Sequence, residues 1–490
     1  MKEHDIKERI LDRLWTVVDG EPEILSASLV GSFAQNGGLE GISDIDLVVI
    51  LEKLNGERFR RMLSSFDGAL RPALAEAGYD LMINPTLGPL KFNDPGCAVL
   101  HLMLYSRSGH IDHAIRSPFT CFDWQRTSIF RKQSMTAVYP VYGLQPHHFF
   151  GARRSASEYL RDLRASVVSY REITPADDGV HELPCTQAMS ERGRHEYSYH
   201  IMKFLMQNFL KLVLRTPVAP DGAALVETFF NTIGISSNGH ADLFLTLRER
   251  KRAFDFSCPI PSLGEQLESF VTKFEQQFRK IFYEDASHHV FFRHAATSAN
   301  QVGAFLGRAN LPIDGASPAE VEALLAVAAA LQPARAYSSP MERCKQSISL
   351  LDGQASDPIT DDRLVEIDCG ECEGLTPTQA QEGYPDLFEA WGRGEDPRFP
   401  GGESTADVRE RLGAFLAETI TAASGNSIIC SHNVVLRCLV GELLGIPQEL
   451  WWKLDIPHLA PIHVIHTRRF GLFVDIDEQV ERKIMWRFAS

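Results

Sequence analysis

Hydrophobic periodicity changes twice along this chain, and that change constrains the fold more than any other feature. From about Ala152 to Glu284, segments such as HEYSYHIMKFLMQNFLKLVL and GEQLESFVTKFEQQFRKIFYE place apolar residues three and four apart, the spacing of amphipathic helices. On either side the apolar residues come as short runs, IDLVVILE, AVLHLMLY, HVFF and SIIC, which read as buried strands. No single sheet or bundle satisfies both patterns. With 490 residues and about 150 residues per domain as a soft guide, three regions are expected: 1–130 around a sheet, 131–285 helical, and 286–490 again α/β.

In the first region the pattern predicts a helix over Asp5 to Val18, a strand at SASLV, a Gly-rich turn and a strand at IDLVVILE. A helix near Gly56 to Ala77 and strands at YDLMIN and AVLHLMLY follow, giving a small mixed sheet with helices on one side. In the second region SASEYLRDLRASVVSYREI reads as a helix, while TPADDGVHELP and APDGA read as loop-like interruptions. From His289 onward strand and helix alternate through SIICSH and HVIH, the pattern of a doubly wound parallel sheet.

A formal net charge of −15 argues against a surface built to hold duplex nucleic acid, which needs clustered Lys and Arg. The opening MKEHDIKERILDRLW carries charges through what would be the apolar core of a signal peptide, and no stretch approaches 18 apolar residues. A cytoplasmic protein without membrane contact is expected. The nine cysteines are scattered and odd in number, and the lone CxxC of Cys369 and Cys372 has no second pair at zinc-site spacing, so these read as structural thiols.

Two constellations carry chemistry. In the C-terminal region HVFFRHAATSAN places Arg293 and His294 directly after an apolar strand, at the end where open α/β sheets hold ligands. In chain order, YSSPMERCKQS then supplies Arg343, FPGGES supplies Glu403, and SIICSHN supplies His432 after a second apolar strand. Together these resemble the histidine phosphatase superfamily, also called phosphoglycerate-mutase-like, whose signature reads RHGxTxxN and whose second histidine ends a buried strand. The resemblance covers about 200 residues and implies the phosphoglycerate-mutase-like sheet.

On matching positions the resemblance implies His294 as a nucleophile forming a phosphohistidine, with Arg293, Arg343 and His432 binding the phosphoryl group. Thr297 and Asn300 complete the motif, Ala295 replaces its usual Gly, and Asn433 stands where Gly usually follows the second histidine. Planar guanidinium forks suit phosphate oxygens, and an acid must protonate the leaving alkoxide. Glu403, in PGGES, is the expected acid; Glu366, in LVEIDCGECEG, is its rival. No cofactor is expected there, and the substrate is a phosphorylated small molecule.

Near the N-terminus, LVGSFAQNGGLEGISDIDLVVI holds Gly31 and Ser32, then Asp44 and Asp46 leading into a strand. This resembles the DNA-polymerase-beta-like nucleotidyltransferases. The resemblance implies nucleotide binding at Gly31 and Ser32, and Asp44 and Asp46, two apart on one strand face, as ligands of Mg²⁺ on a nucleoside triphosphate. The family's third carboxylate is missing: the matching strand offers His101, and Asp112 falls in an expected loop. Lys91 and Arg107 read as solvated, and His195, Tyr199 and Lys203 as a helical stripe better suited to a core than to a cleft. The expected protein is thus a bifunctional enzyme, metal-dependent nucleotidyl transfer joined to phosphomonoester hydrolysis. The alternative is a phosphatase regulated by a silent nucleotide-binding domain.

Overall fold

The computed structural model describes residues 3–35, 44–87, 96–153, 156–176, 179–351, 353–354, 356–422 and 425–488. The chain divides into two compact units, one of Met1–Leu144 with His148–Glu275, the other of Gln145–His147 with Gln276–Ser490. The regions expected at 1–130 and 131–285 therefore fall almost entirely within one unit.

The first unit is built on a sheet of β1 (Ile24–Val30), β2 (Ile45–Leu51), β3 (Asp80–Asn84), β4 (Cys97–Ser106) and β5 (Ile129–Lys132) in the order β3-β4-β2-β1-β5. The β2, β3 and β4 strands run parallel, whereas β1 is antiparallel to both β2 and β5. Because side chains alternate along a strand, Leu47, Val49, Leu100 and Leu102 enter one core with Leu14, Phe59 and Phe66 of helices Glu3–Gly20 and Gly56–Glu76. The opposite face, with Val48, Ile50, Met103 and Tyr105, packs on Met135 and Val138. The sheet is thus covered on both faces rather than one, which explains why β2 and β4 read as continuous apolar runs instead of alternating ones.

One expected helix is largely a hairpin. Only Ala156–Ala165 is helical, and the rest pairs as β6 (Val167–Ala176) with β7 (Gly179–Ala188), antiparallel in register from Val167↔Ala188 to Ala176↔Gly179. The sequence of β6 alternates around Val, Tyr, Ile and Thr, a period-two signal that the flanking helical pattern masked. Ile173 and Val180 pack against the first core, and Leu87 bridges Arg171. TPADDGVHELP therefore belongs mainly to the two strands. Helices Glu191–Leu214, Gly222–Ile233, His240–Ala253 and Leu263–Arg279 match the expected periodicity.

The second unit holds β8 (Ser287–Arg293), β9 (Arg335–Ser338), β10 (Ile359–Thr360), β11 (Ser427–Ser431), β12 (Ile462–Thr467) and β13 (Gly471–Val474) in the order β10-β9-β11-β8-β12-β13. The first four run parallel to one another, and β12, antiparallel to β8, and β13, antiparallel to β12, complete the sheet. Val290, Phe292, Ile428 and Cys430 pack against helices Pro318–Leu331 and Glu342–Ser349 through Leu324, Ala328, Cys344 and Ile348. Gln145 and His147 join this unit: the Ile476 N–H donates to Gln145, and both the His147 N–H and its Nδ1 bond the Asp475 carboxylate at 2.8 Å.

Gly441, inside helix Asn433–Leu444, illustrates how tightly this unit is packed. A Cβ there would overlap the buried indole of Trp451, whose Nε1 donates to the Ile446 carbonyl. Gly441→Ala is expected to lower the urea midpoint, at a cost of about 1–3 kcal/mol from overpacking.

Candidate active site

The parallel strands β8, β9 and β11 end side by side, and their ends carry the site. His294 follows β8, Ser339 follows β9 and His432 follows β11; the His294 N–H donates to the Ser431 carbonyl and the Ser339 N–H to that of Cys430. Ligands of open α/β sheets gather outside such strand ends. The imidazoles of His294 and His432 lie 5.2 Å apart, centre to centre.

His294 is buried, and its Nδ1 lies 2.7 Å from the Ala295 carbonyl oxygen. A carbonyl only accepts, so Nδ1 carries the proton and Nε2 keeps a lone pair. Burial first, then Arg293 and Arg343, hold this imidazole well below the ordinary histidine range. The same causes, burial and then Arg343, act on His432. His432 is fixed from both sides, with Arg343 Nε donating to Nδ1 at 3.2 Å and Ser339 Oγ 2.8 Å from Nε2.

Arg343 is fully buried. Its remaining terminal nitrogens donate to the carbonyls of Gly307 and Ala309 at 2.9 and 2.8 Å. The Glu373 carboxylate shapes that loop by accepting from the N–H groups of Gly307, Arg308 and Ala309. Of the five guanidinium donors, three are thereby used. Arg293 donates once, to the Ile456 carbonyl, and its Nε is buried without a partner; burial lowers its pKa to about 10. His458, which no motif marked, donates Nδ1 to the His294 carbonyl oxygen at 2.6 Å and has its pKa pushed down to about 4, by burial and then Arg293.

Thr297 and Asn300 come together differently from the expectation of two substrate ligands. Thr297 is wholly buried, and its N–H and hydroxyl both donate to Asn300 Oδ1 at 2.9 Å, so this pair caps the helix Ser298–Val302. Asn300 also lines a cavity of about 690 Å³ with Arg293, Ala295, Asn433 and His458.

The two candidate acids separate clearly. Glu403 is held by Arg411 through both carboxylate oxygens and by Arg308, with the Asp368 N–H donating at 2.9 Å. Burial would raise its pKa, but the Asp368 N–H and Arg411 outweigh that and keep it below the usual carboxylate range. A carboxylate so anchored is poorly placed to release a proton, which favours the rival Glu366. Glu366 is buried, accepts from the N–H groups of Ile367 and Val434, and is the carboxylate whose charge acts most on Arg293 and Arg343.

The buried histidines make this unit acid-sensitive. His289, bonded to Ser287 Oγ and Ser427 Oγ, has its pKa lowered to about 3, chiefly by burial. A folded value below the unfolded one means that the unfolded chain binds more protons as pH falls below the ordinary histidine value of about 6.5. Stability is therefore complete above that value and lost toward pH 3, with a slope approaching about 1.4 kcal/mol per pH unit for such a group. Urea midpoints measured from pH 7 to 5 are expected to fall, and less steeply in His289→Asn.

In the first unit Asp44 and Asp46 sit at the start of β2, next to Gly31 of β1's end; a Cβ on Gly31 would run into the Asp46 carboxylate. Gly31 and Ser32 open a short helix, Gly31–Gln35, rather than a turn. His101 of β4 stands opposite Asp46, with Nδ1 3.1 Å from Asp46 Oδ1 and Nε2 2.5 Å from the Thr86 carbonyl oxygen. Both ring nitrogens face carboxylate or carbonyl oxygens, so the ring is engaged on both sides. Among the described residues no group of three or more His, Cys, Asp or Glu is arranged to hold a metal ion. Asp44 and Asp46 thus stand without a third carboxylate arranged beside them among the described residues.

Asp112 lies in the helix Arg107–Arg116 rather than a loop, Arg107 pairs with Glu52, and Lys91 falls outside the described residues. His195 is buried between the Glu191 carbonyl and Arg250, and Tyr199 stacks on Phe244, as a core stripe requires. Cys369 and Cys372 are buried free thiols. Among the described residues no helix is long and apolar enough to cross a membrane.

Residues 289–475 match the family described as Histidine phosphatase superfamily (branch 1). The chain is 28% identical over 194 residues to Phosphoserine phosphatase 1 of Hydrogenobacter thermophilus, spanning 38% of this chain and 91% of that protein. It is 26% identical over 185 residues to 2,3-bisphosphoglycerate-dependent phosphoglycerate mutase 2 of Gloeobacter violaceus, spanning 36% of this chain and 84% of that protein. Among solved structures, a mycobacterial glucosyl-3-phosphoglycerate phosphatase aligns over 39% of this chain and 98% of its own, with 23% identity and a TM-score of 0.34. By the family match, residues 289–475 form a histidine phosphatase superfamily region.

Proposed function

We propose that the second unit hydrolyses a phosphorylated small molecule through a phosphohistidine on His294. The observation that carries this reading is the Nδ1 bond to the Ala295 carbonyl, which leaves Nε2 as the lone-pair nitrogen of a ring next to Arg293 in the chain. Nε2 attacks phosphorus and the ester P–O bond breaks; Glu366 gives its proton to the leaving alkoxide. Water, deprotonated by Glu366, then attacks the phosphohistidine, releasing inorganic phosphate and restoring Nε2. Arg293 and Arg343 neutralise and position the phosphoryl oxygens, and His432 holds the Arg343 guanidinium through its Nδ1. No metal takes part in these steps. Rapid mixing with a phosphomonoester in excess chelator, followed by an alkaline quench, is expected to trap phosphate on the protein as a base-stable, acid-labile adduct. Its absence while phosphate is released would sink the covalent route.

For the first unit we propose the narrower of the two readings, a module that binds a nucleoside triphosphate and regulates the phosphatase without transferring a nucleotidyl group. What favours it is His101, whose nitrogens are both engaged where transfer chemistry needs a carboxylate. Pyrophosphate release that depends on Asp46 would overturn this reading in favour of the bifunctional one. Cytosolic residence belongs to the same proposal.

A further inference from the structure

Tyr199 stacks its ring on Phe244 in the helical part of the first unit, yet cations that neither proposed activity uses gather around it. Lys251 Nζ, on the helix His240–Ala253, lies 5.2 Å from the centre of that ring, and Lys203 Nζ, on the helix Glu191–Leu214, lies 5.9 Å from it. Burial and then Asp221 push the Tyr199 hydroxyl up to about 12 against the pull of Arg248 and Arg252, so it stays a donor at neutral pH. Arg248 is packed across the start of the helix Gly222–Ile233, where a Cβ on Gly222 would stand 3.1 Å from the guanidinium carbon. Its Nε is buried without a hydrogen-bond partner, and a buried donor left unmatched is destabilising until a ligand supplies the acceptor.

The carboxylates beside this cluster offset it only weakly. Asp221 stands 3.8 Å from Lys203 and 3.6 Å from Arg248, and Glu249 stands 3.5 Å from Arg248, beyond ordinary hydrogen-bond lengths. Their side chains are 48% and 70% exposed, so water screens both. The cluster is also compact, because neighbouring cations are engaged elsewhere: Arg192 with Glu196, Arg194 with Glu191, and Arg250 with His195 and the Cys258 carbonyl. We propose that Lys203, Arg248, Lys251 and Arg252, with the Tyr199 hydroxyl as a further donor, form a binding site for a phosphate dianion, free or carried by a larger molecule. Four cations facing two exposed carboxylates suit a double negative charge. A tetrahedral phosphate accepts from several directions at once, whereas a flat carboxylate matches a single fork. All six residues of the cluster belong to the first unit, so the site does not depend on the phosphatase reading.

The test is equilibrium dialysis of the full chain against radiolabelled inorganic phosphate at millimolar concentration. Wild type is expected to bind one equivalent more than the double variant Lys203→Gln/Arg252→Gln, whatever the second unit binds, since that contribution is common to both. Arg194→Gln, which removes a cation of the same helix already paired with Glu191, is expected to bind as wild type does. The same number of equivalents in wild type and double variant, or an equal loss in Arg194→Gln, overturns the proposal. Should the double variant fail to fold by circular dichroism, Arg252→Gln alone, at an exposed position, is read in the same way. Phenylphosphonate, whose phosphoryl group a phosphatase cannot release, then separates the two sources. Displacement of the additional equivalent assigns the site to the phosphate of a larger molecule, and retention assigns it to free phosphate.

Discussion

Replacing His294 with alanine is expected to remove phosphate release by ~10⁵-fold or more in kcat, as losing a covalent nucleophile does in other enzymes. The size of the effect follows from the geometry. His294 Nε2 is kept as a lone pair by the Nδ1 bond to Ala295, and burial beside two arginines keeps it unprotonated well into the acid range. Alanine removes the atom proposed to form the P–N bond, and His432 is a poor substitute because Arg343 and Ser339 engage both of its nitrogens. Since the imidazole is a minor part of the core, the variant is expected to keep its circular dichroism and its urea midpoint near wild type at pH 7. The measurement is phosphate release from a panel of phosphomonoesters in excess chelator. Undiminished release in the variant would remove His294 from the mechanism.

The second large effect separates two glutamates. Glu366→Gln is expected to slow hydrolysis of alkyl phosphates by about 10²- to 10⁴-fold, the usual range for a general acid. It should slow p-nitrophenyl phosphate much less, because p-nitrophenolate departs without a proton. Glu403→Gln is expected to act on folding instead. It breaks the carboxylate's bonds to Arg411 and Arg308, and a urea midpoint lowered by roughly 1–3 kcal/mol is the expected sign. Leaving-group dependence in Glu403→Gln and none in Glu366→Gln would reverse the assignment.

Much of the second unit was legible in the sequence because its signals are local. Arg293 and His294, and likewise His432, each follow a short apolar run, and β8 and β11 stand side by side in the sheet. Patterning of this kind identifies strand, turn and exposed strand end without reference to the rest of the chain. The acid was another matter. Glu403 sits in a Gly-rich loop that looks suitable, but its fate is set by Arg411 and Arg308, eight and 95 residues away. The hairpin β6/β7 was hidden for a related reason: its alternation is brief and lies between long helices, so the neighbouring period dominates the window.

What the sequence determined by itself was the buried strands, the long helices and the order of the arginine and histidine motifs, since strand burial, helix periodicity and a histidine at a strand end are all written within a few adjacent residues. What only the tertiary structure decided was which polar groups are spent on one another and which are left for a ligand. His101 is engaged by Asp46 and Thr86, Thr297 by Asn300, and Glu403 by its arginines, while Arg293 and Arg437 each keep a buried Nε without a partner. The physical reason is that desolvation makes every buried polar group find a partner or pay for its absence, and those partners are brought together by folding from positions that carry no mark of one another in the chain.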